Sequence, residues 1–171
     1  MKLLPEVQKI IIRVKGVNKM SNFNWDENIE IIVRSNDGTI LDSTCFHNQI
    51  TNDALNWLAK GLMLSTQDNE IKYLGWGSSD LALSTAHTTL SSETGRKLLT
   101  SQTSSNTGVC YSVCYIAPTE GVGSIKELAW FAGSSAVADS NTGKMISRVL
   151  YTRVKTALES ITVTRKDTFT G

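Results

Sequence analysis

NIEIIVRSNDGTILDST, residues 28–44, is the stretch that decides the fold class. Ile29, Ile31 and Val33 alternate with Glu30, Ile32 and Arg34, and a period of two sends alternate side chains to opposite faces of a strand. Asp37-Gly38 follows as hairpin-turn chemistry, and residues 39–43 return as the second strand. A hairpin of this kind predicts an antiparallel sheet.

The rest of the chain repeats the pattern. IKYLGW (71–76), VCYSVCYIA (109–117), IKELAWFA (125–132), MISRVLYTRV (145–154) and SITVTRKDTF (160–169) are short apolar or alternating runs. Turns rich in Gly, Ser, Asn and Asp separate them, among them TEGVGS and ADSNTGK. One segment, ITNDALNWLAKGLMLS, reads as a helix. Thr51 or Asn52 caps it, Asp53 lies in its first turn, and Gly61 stands near its end. Leu55, Leu58 and Leu62 share helical spacing, broadened by Ala54, Trp57 and Ala59, so the helix is expected over a sheet edge or barrel end. Strands do not alternate with long helices, which argues against a doubly wound α/β enzyme. The prediction is a mainly β fold: an antiparallel β-sandwich or distorted barrel with one packed α-helix.

Residues 18–28, NKMSNFNWDEN, read as a turn-rich break, so residues 1–21 form an N-terminal arm or first strand and residues 22–171 the β-rich body. The arm carries Lys2, Lys9, Arg13, Lys15 and Lys19 against Glu6, around the β-prone residues Ile10, Ile11, Ile12, Val14 and Val17. Such a segment pairs with the body or adds a strand to a neighbouring subunit, and the neighbour is preferred. Pro5, Glu6, Gln8, Lys9 and Arg13 interrupt its apolar run, unlike a secretory leader. No run of 18 apolar residues marks a membrane helix.

The 171 residues suit one domain with its own core. Seventeen basic against sixteen acidic residues give a net charge of +1, which argues against nucleic acid as a direct partner. Three cysteines do not complete a disulfide set. Cys110 and Cys114, on one strand face about 13 Å apart, are too distant to bond.

Chemistry-bearing residues are scattered. His47 and His87 lack metal-ligand spacing, and no nucleophile elbow or phosphate loop is present, so no catalytic, cofactor or metal residue is assigned. Gly75 and Gly77 read as a strand ending in a tight turn. Glu93 and Arg96, three residues apart in a polar turn, are expected to form an ion pair that tethers the Ser/Thr-rich stretch between residues 77 and 93. Glu127 sits between apolar residues and is expected to face a rim or pair with a base. Trp76 and Trp130, with Tyr111 and Tyr115, suit either a core, a subunit contact or sugar stacking.

FHNQITNDALNWLAKGL, IKYLGWGS, TTLSSETGRK, IKELAWFAG, MISRVLYTRV and ITVTRKDTF, in that order, resemble structural proteins of tailed bacteriophages of the tail-fibre, baseplate or minor virion class. The matching residues are Asn48, Thr51, Gly75, Gly77, Leu90, Glu93, Arg96, Ile125, Glu127, Phe131 and Arg148, within residues 28–169. The resemblance implies a non-enzymatic, oligomeric virion protein with other virion proteins as partners. Candidate structural or assembly residues are Ile10, Ile12, Arg13, Trp76, Glu93, Arg96, Glu127, Trp130, Phe131 and Arg148. The alternatives are a capsid decoration protein or a carbohydrate-binding module that takes a host glycan.

Overall fold

A computed structural model describes residues 24–61, 68 and 70–170. Ten strands and one helix follow in the order β1 (Asn24–Ser35), β2 (Ile40–His47), β3 (Gln49–Ile50), α1 (Asn52–Gly61), β4 (Ile71–Gly77), β5 (Glu93–Leu98), β6 (Ser101–Asn106), β7 (Val109–Ile116), β8 (Gly123–Ala132), β9 (Lys144–Lys155) and β10 (Glu159–Thr170). They form two antiparallel five-stranded sheets. The first runs β2-β1-β10-β7-β6 and the second β3-β9-β8-β4-β5. The sheets pack face to face as a sandwich and do not close into a barrel.

The opening hairpin forms in register, with Ile31 opposite Thr44 and Val33 opposite Asp42. Its loop is three residues long, closed by hydrogen bonds between Ser35 and Thr39, and Gly38 takes φ +90°. Hydrogen bonds from Ser35 and then Thr39 hold the Asp37 carboxyl down to about 2. Ile29, Ile31 and Val33 are buried against β8 and β9 residues such as Leu128, Trp130 and Val149 in the core between the sheets.

The chain changes sheets at both edges. Asn48 carries it from β2 to β3. Leu99 and Thr100 carry it from β5 to β6, and their amides bond to Lys72 of the second sheet and Val113 of the first in turn. Thr51 caps α1, its hydroxyl accepting from the Ala54 amide at 3.1 Å and donating to the Met145 carbonyl at 2.5 Å. Ala54 is buried and Trp57 and Leu58 half-buried, whereas Leu55 turns outward at 54% exposure. Leu62 and the arm residues Ile10, Ile12 and Arg13 lie outside the described residues. Among those described, no helix is long and apolar enough to cross a membrane.

Two local readings change, and a third segment, without a reading of its own, proves to be strand. Residues 24–28 are strand, not turn, because β10 supplies a full ladder and Trp25 packs on Phe169 while its indole donates to Asp167. Glu93 and Arg96 lie on β5, paired to β4, not in a turn. SQTSSN is strand β6. These polar edge segments show no alternation of their own, and their partner strands impose the geometry.

A buried ionic network joins the sheets. Arg165 donates two parallel hydrogen bonds to Asp167, both at 2.7 Å, and bonds to the Ser147 hydroxyl and to Glu27 Oε1 at 2.6 and 3.1 Å. Glu27 Oε1 also accepts from Asn48 and Ser147, but its Oε2 has no hydrogen-bond partner among the described residues. Two carboxylates thus share one guanidinium, and Asp167 takes its bidentate face. Burial therefore dominates at Glu27 and raises its pKa, with the Arg165 charge opposing and the Asp167 charge assisting. A raised carboxyl pKa favours folding below the unfolded value near 4.5, and that contribution is lost as pH rises through the folded value. Glu27→Gln should therefore compare worst with the parent near that pH and progressively better above it. Urea midpoints of both proteins across pH check this, and a constant difference would contradict it.

Candidate functional site: two loops strapped to one sheet face

The second sheet buries both faces. Leu74, Trp76, Leu128 and Trp130 point to the first sheet, whereas Ala129, Phe131 and Met145 lie in a second cluster with Leu90 and Ala136. Leu90 belongs to the connection formed by residues 78–92, and Ala136 to the loop formed by residues 133–143. These two loops cover the outer face of the sheet.

One buried ion pair holds each loop. Arg148 of β9 and Glu127 of β8, both buried, meet at 2.7 Å. Arg148 then donates to the carbonyls of Leu81 and Ala82 and approaches His87 Nδ1 at 3.3 Å. Glu127 accepts from the Ser92 amide at 3.0 Å and the Ser91 amide at 3.4 Å. All of these partners lie in the 78–92 connection. Glu93 and Arg96 of β5 form the second pair, also buried, with bonds of 2.6 and 3.0 Å. Arg96 donates onward to Val137 O, Thr142 O and Thr142 Oγ1, and its guanidinium lies 4.2 Å from the Phe131 ring centroid. Asn141, at φ 57°, joins the loops: its amide donates to Glu93 and its side chain accepts from Leu90 N.

The expected pair therefore forms, but Arg96 holds a different loop. The Ser/Thr-rich connection belongs to Glu127 and Arg148, and Arg96 secures residues 137–142. The reason is register. Glu127 pairs opposite Leu150 and Gly77, which aims it at the point where that connection leaves β4 and returns through Ser91 and Ser92.

Gly75 and Gly77 also have a different basis from a tight turn. Both lie in β4, and neither has a positive φ. A Cβ at Gly77 would sit 2.5 Å from Glu127 Oε1 and from Ser92 O, and one at Gly75 would meet Phe131 at 2.9 Å and Glu93 Oε1 at 3.1 Å. The glycines let the carboxylates lie close against the strand. Gly77→Ala should cost about 1–3 kcal/mol, the usual penalty for overpacking. Urea unfolding reads this directly, and a loss below about 0.5 kcal/mol would mean that the carboxylate moves aside freely.

The other candidates are placed separately. Trp76 and Trp130 are core residues, so neither offers a ring face for a sugar. His47 is exposed, 3.8 Å from Asp26. All three cysteines are free, and burial pushes the Cys114 thiol up to about 12. Sequence reasoning missed Asn141 and the Arg165 network. Both carry signals: Asn before Thr-Gly suits a left-handed turn, and alternation through Ile161, Val163, Arg165 and Asp167 places both charges on the core face.

Chemically, the arrangement spends its carboxylates and guanidiniums on internal bonds, and what it presents outward is loop surface. Leu81 is 51% exposed and Val137 43%, each on a strapped loop beside a carbonyl that an arginine holds. No protein-family model, curated protein or solved structure matches this chain.

Proposed function

We propose that the chain is a non-enzymatic structural protein of a tailed-phage virion that assembles with other virion proteins at the tail, baseplate or fibre attachment. One observation carries the assembly role: two buried ion pairs fix two loops that present apolar side chains to solvent. Ordering loops in advance removes an entropy cost that binding would otherwise incur, and exposed Leu81 and Val137 supply apolar contact. The virion assignment rests on the ordered sequence segments, several of whose residues, Thr51, Glu93, Arg96, Glu127 and Arg148, build this scaffold.

The test is association of the tagged full chain with purified virion substructures, followed by imaging of intact particles for its density. Failure of both would remove the reading. Leu81→Asp with Val137→Asp should leave the melting temperature unchanged and weaken association at least about tenfold, the effect of losing one interface anchor. Equal association by the double variant would exclude the strapped loops as the contact surface.

A further inference from the structure

A cavity of about 500 Å³ opens at the end of the sandwich where β1 begins and β10 ends, within the size range of sites that enclose a small ligand (about 300–1,000 Å³). Four of its wall residues are aromatic: Trp25, Trp57, Tyr111 and Phe169. Both indole N–H groups are already bonded, Trp25 to Asp167 and Trp57 to the Asp68 carbonyl. The tryptophans therefore offer a ligand ring surface and not hydrogen bonds. Much of the remaining polar wall is committed too. Asp167 accepts from Arg165 through both oxygens and from the Cys110 thiol. The Gln102 amide donates to the Ile71 carbonyl and the Ser112 hydroxyl, and the Ser104 hydroxyl to the Val109 carbonyl. A sugar would bury hydroxyls without partners here, and each such hydroxyl is costly. A ligand with an apolar body avoids that cost.

Charge sets the sign of that ligand. Among the described residues, no lysine, arginine or histidine lines the cavity, and its two charged wall residues are Glu70 and Asp167. Arg165, fully buried, binds Asp167 through two hydrogen bonds and offsets its charge. Glu70 is exposed, and Lys72, two residues on, is paired with Asp68 at 2.6 Å. Glu70 is thus the charge an entering ligand meets. A positive nitrogen is attracted both to that carboxylate and to the negative faces of aromatic rings, whereas an anion gains neither.

We propose that this cavity binds a small organic cation, with its apolar body against the Trp25, Trp57, Tyr111 and Phe169 rings and its ammonium nitrogen toward Glu70. The site uses no residue of the two strapped loops. It is independent of the virion reading and fails or stands without it.

The probe is benzyltrimethylammonium ion, with benzyl alcohol as its uncharged counterpart and benzoate as its anionic one. Trp25 and Trp57 line the cavity whereas Trp76 and Trp130 are core residues, so the cation should change tryptophan emission of the full chain saturably. It should bind at least about tenfold more tightly than benzyl alcohol, the preference that ring faces and one carboxylate together give a cation. Benzoate should not bind. Cys110 lines the cavity and exposed Cys45 does not, so the bound cation should slow N-ethylmaleimide labelling of Cys110 alone of the two. Glu70→Gln, at an exposed position, should keep the melting temperature and weaken the cation by roughly threefold, the effect of one exposed charge pair. Absence of saturable binding below about 10 mM would overturn the proposal. So would equal affinity for benzyl alcohol, binding of benzoate, unchanged Cys110 labelling at saturation, or unaltered affinity in Glu70→Gln.

Discussion

Arg165→Ala should be the most damaging single substitution in the described chain, lowering stability by about 3–5 kcal/mol. Arg165 is fully buried, and its removal leaves Asp167 without its bidentate partner and Glu27 without its cation. Neither carboxylate can reach water without disrupting β1 or β10. Against a typical total of about 5–15 kcal/mol, the loss is a large share. For a domain of this size it corresponds to a fall in melting temperature of roughly 6–20 °C. A triple variant, Arg165→Met with Glu27→Gln and Asp167→Asn, separates the causes. It removes every charge while keeping most of the volume, so it should recover much of the loss. If it melts as low as Arg165→Ala, the damage is packing and not uncompensated charge.

Arg148→Ala should rank second, again at about 3–5 kcal/mol, because it strands the buried Glu127 carboxylate. Its distinguishing effect is local. The carbonyls of Leu81 and Ala82 lose their donor, so residues 78–92 should exchange amide hydrogens faster and become cleavable by protease. The 133–143 loop should keep its protection, because Arg96 still holds Val137 and Thr142. Arg96→Ala should show the reverse pattern. Lysine is a poor substitute at either site, since it cannot serve a carboxylate and several carbonyls from one planar fork. Equal loosening of both loops by either variant would show that the pairs act through the whole sheet and not on separate loops.

The sequence by itself determined the strands with a buried face. The hairpin at residues 28–44 was legible because Ile29, Ile31 and Val33 repeat at the strand period and Asp37-Gly38 supplies the turn. β7 and β10 were legible for the same reason, since burial on one side leaves a periodic mark in the residues, whereas β8 and β9, buried on both faces, were legible as short apolar runs. The helix was legible through its cap, although Leu55 turned outward. The N-terminal segment reads as an arm, and it lies outside the described residues.

Only the tertiary structure decided what carries no local mark. β5 and β6 are strands because β4 and β7 offer them backbone partners, not because TGRK or SQTSSN favours extension. Which arginine holds which loop followed from strand register, a relation between residues such as Glu127 and Leu150 that are distant in sequence. The need for glycine at positions 75 and 77 arose from carboxylates delivered by β5 and β8, contributed by segments 18 and 50 residues further along the chain. Local propensity is a property of neighbours in sequence. An ion pair beneath a loop is a property of neighbours in space, and the two sets coincide only where one strand face is buried along its length.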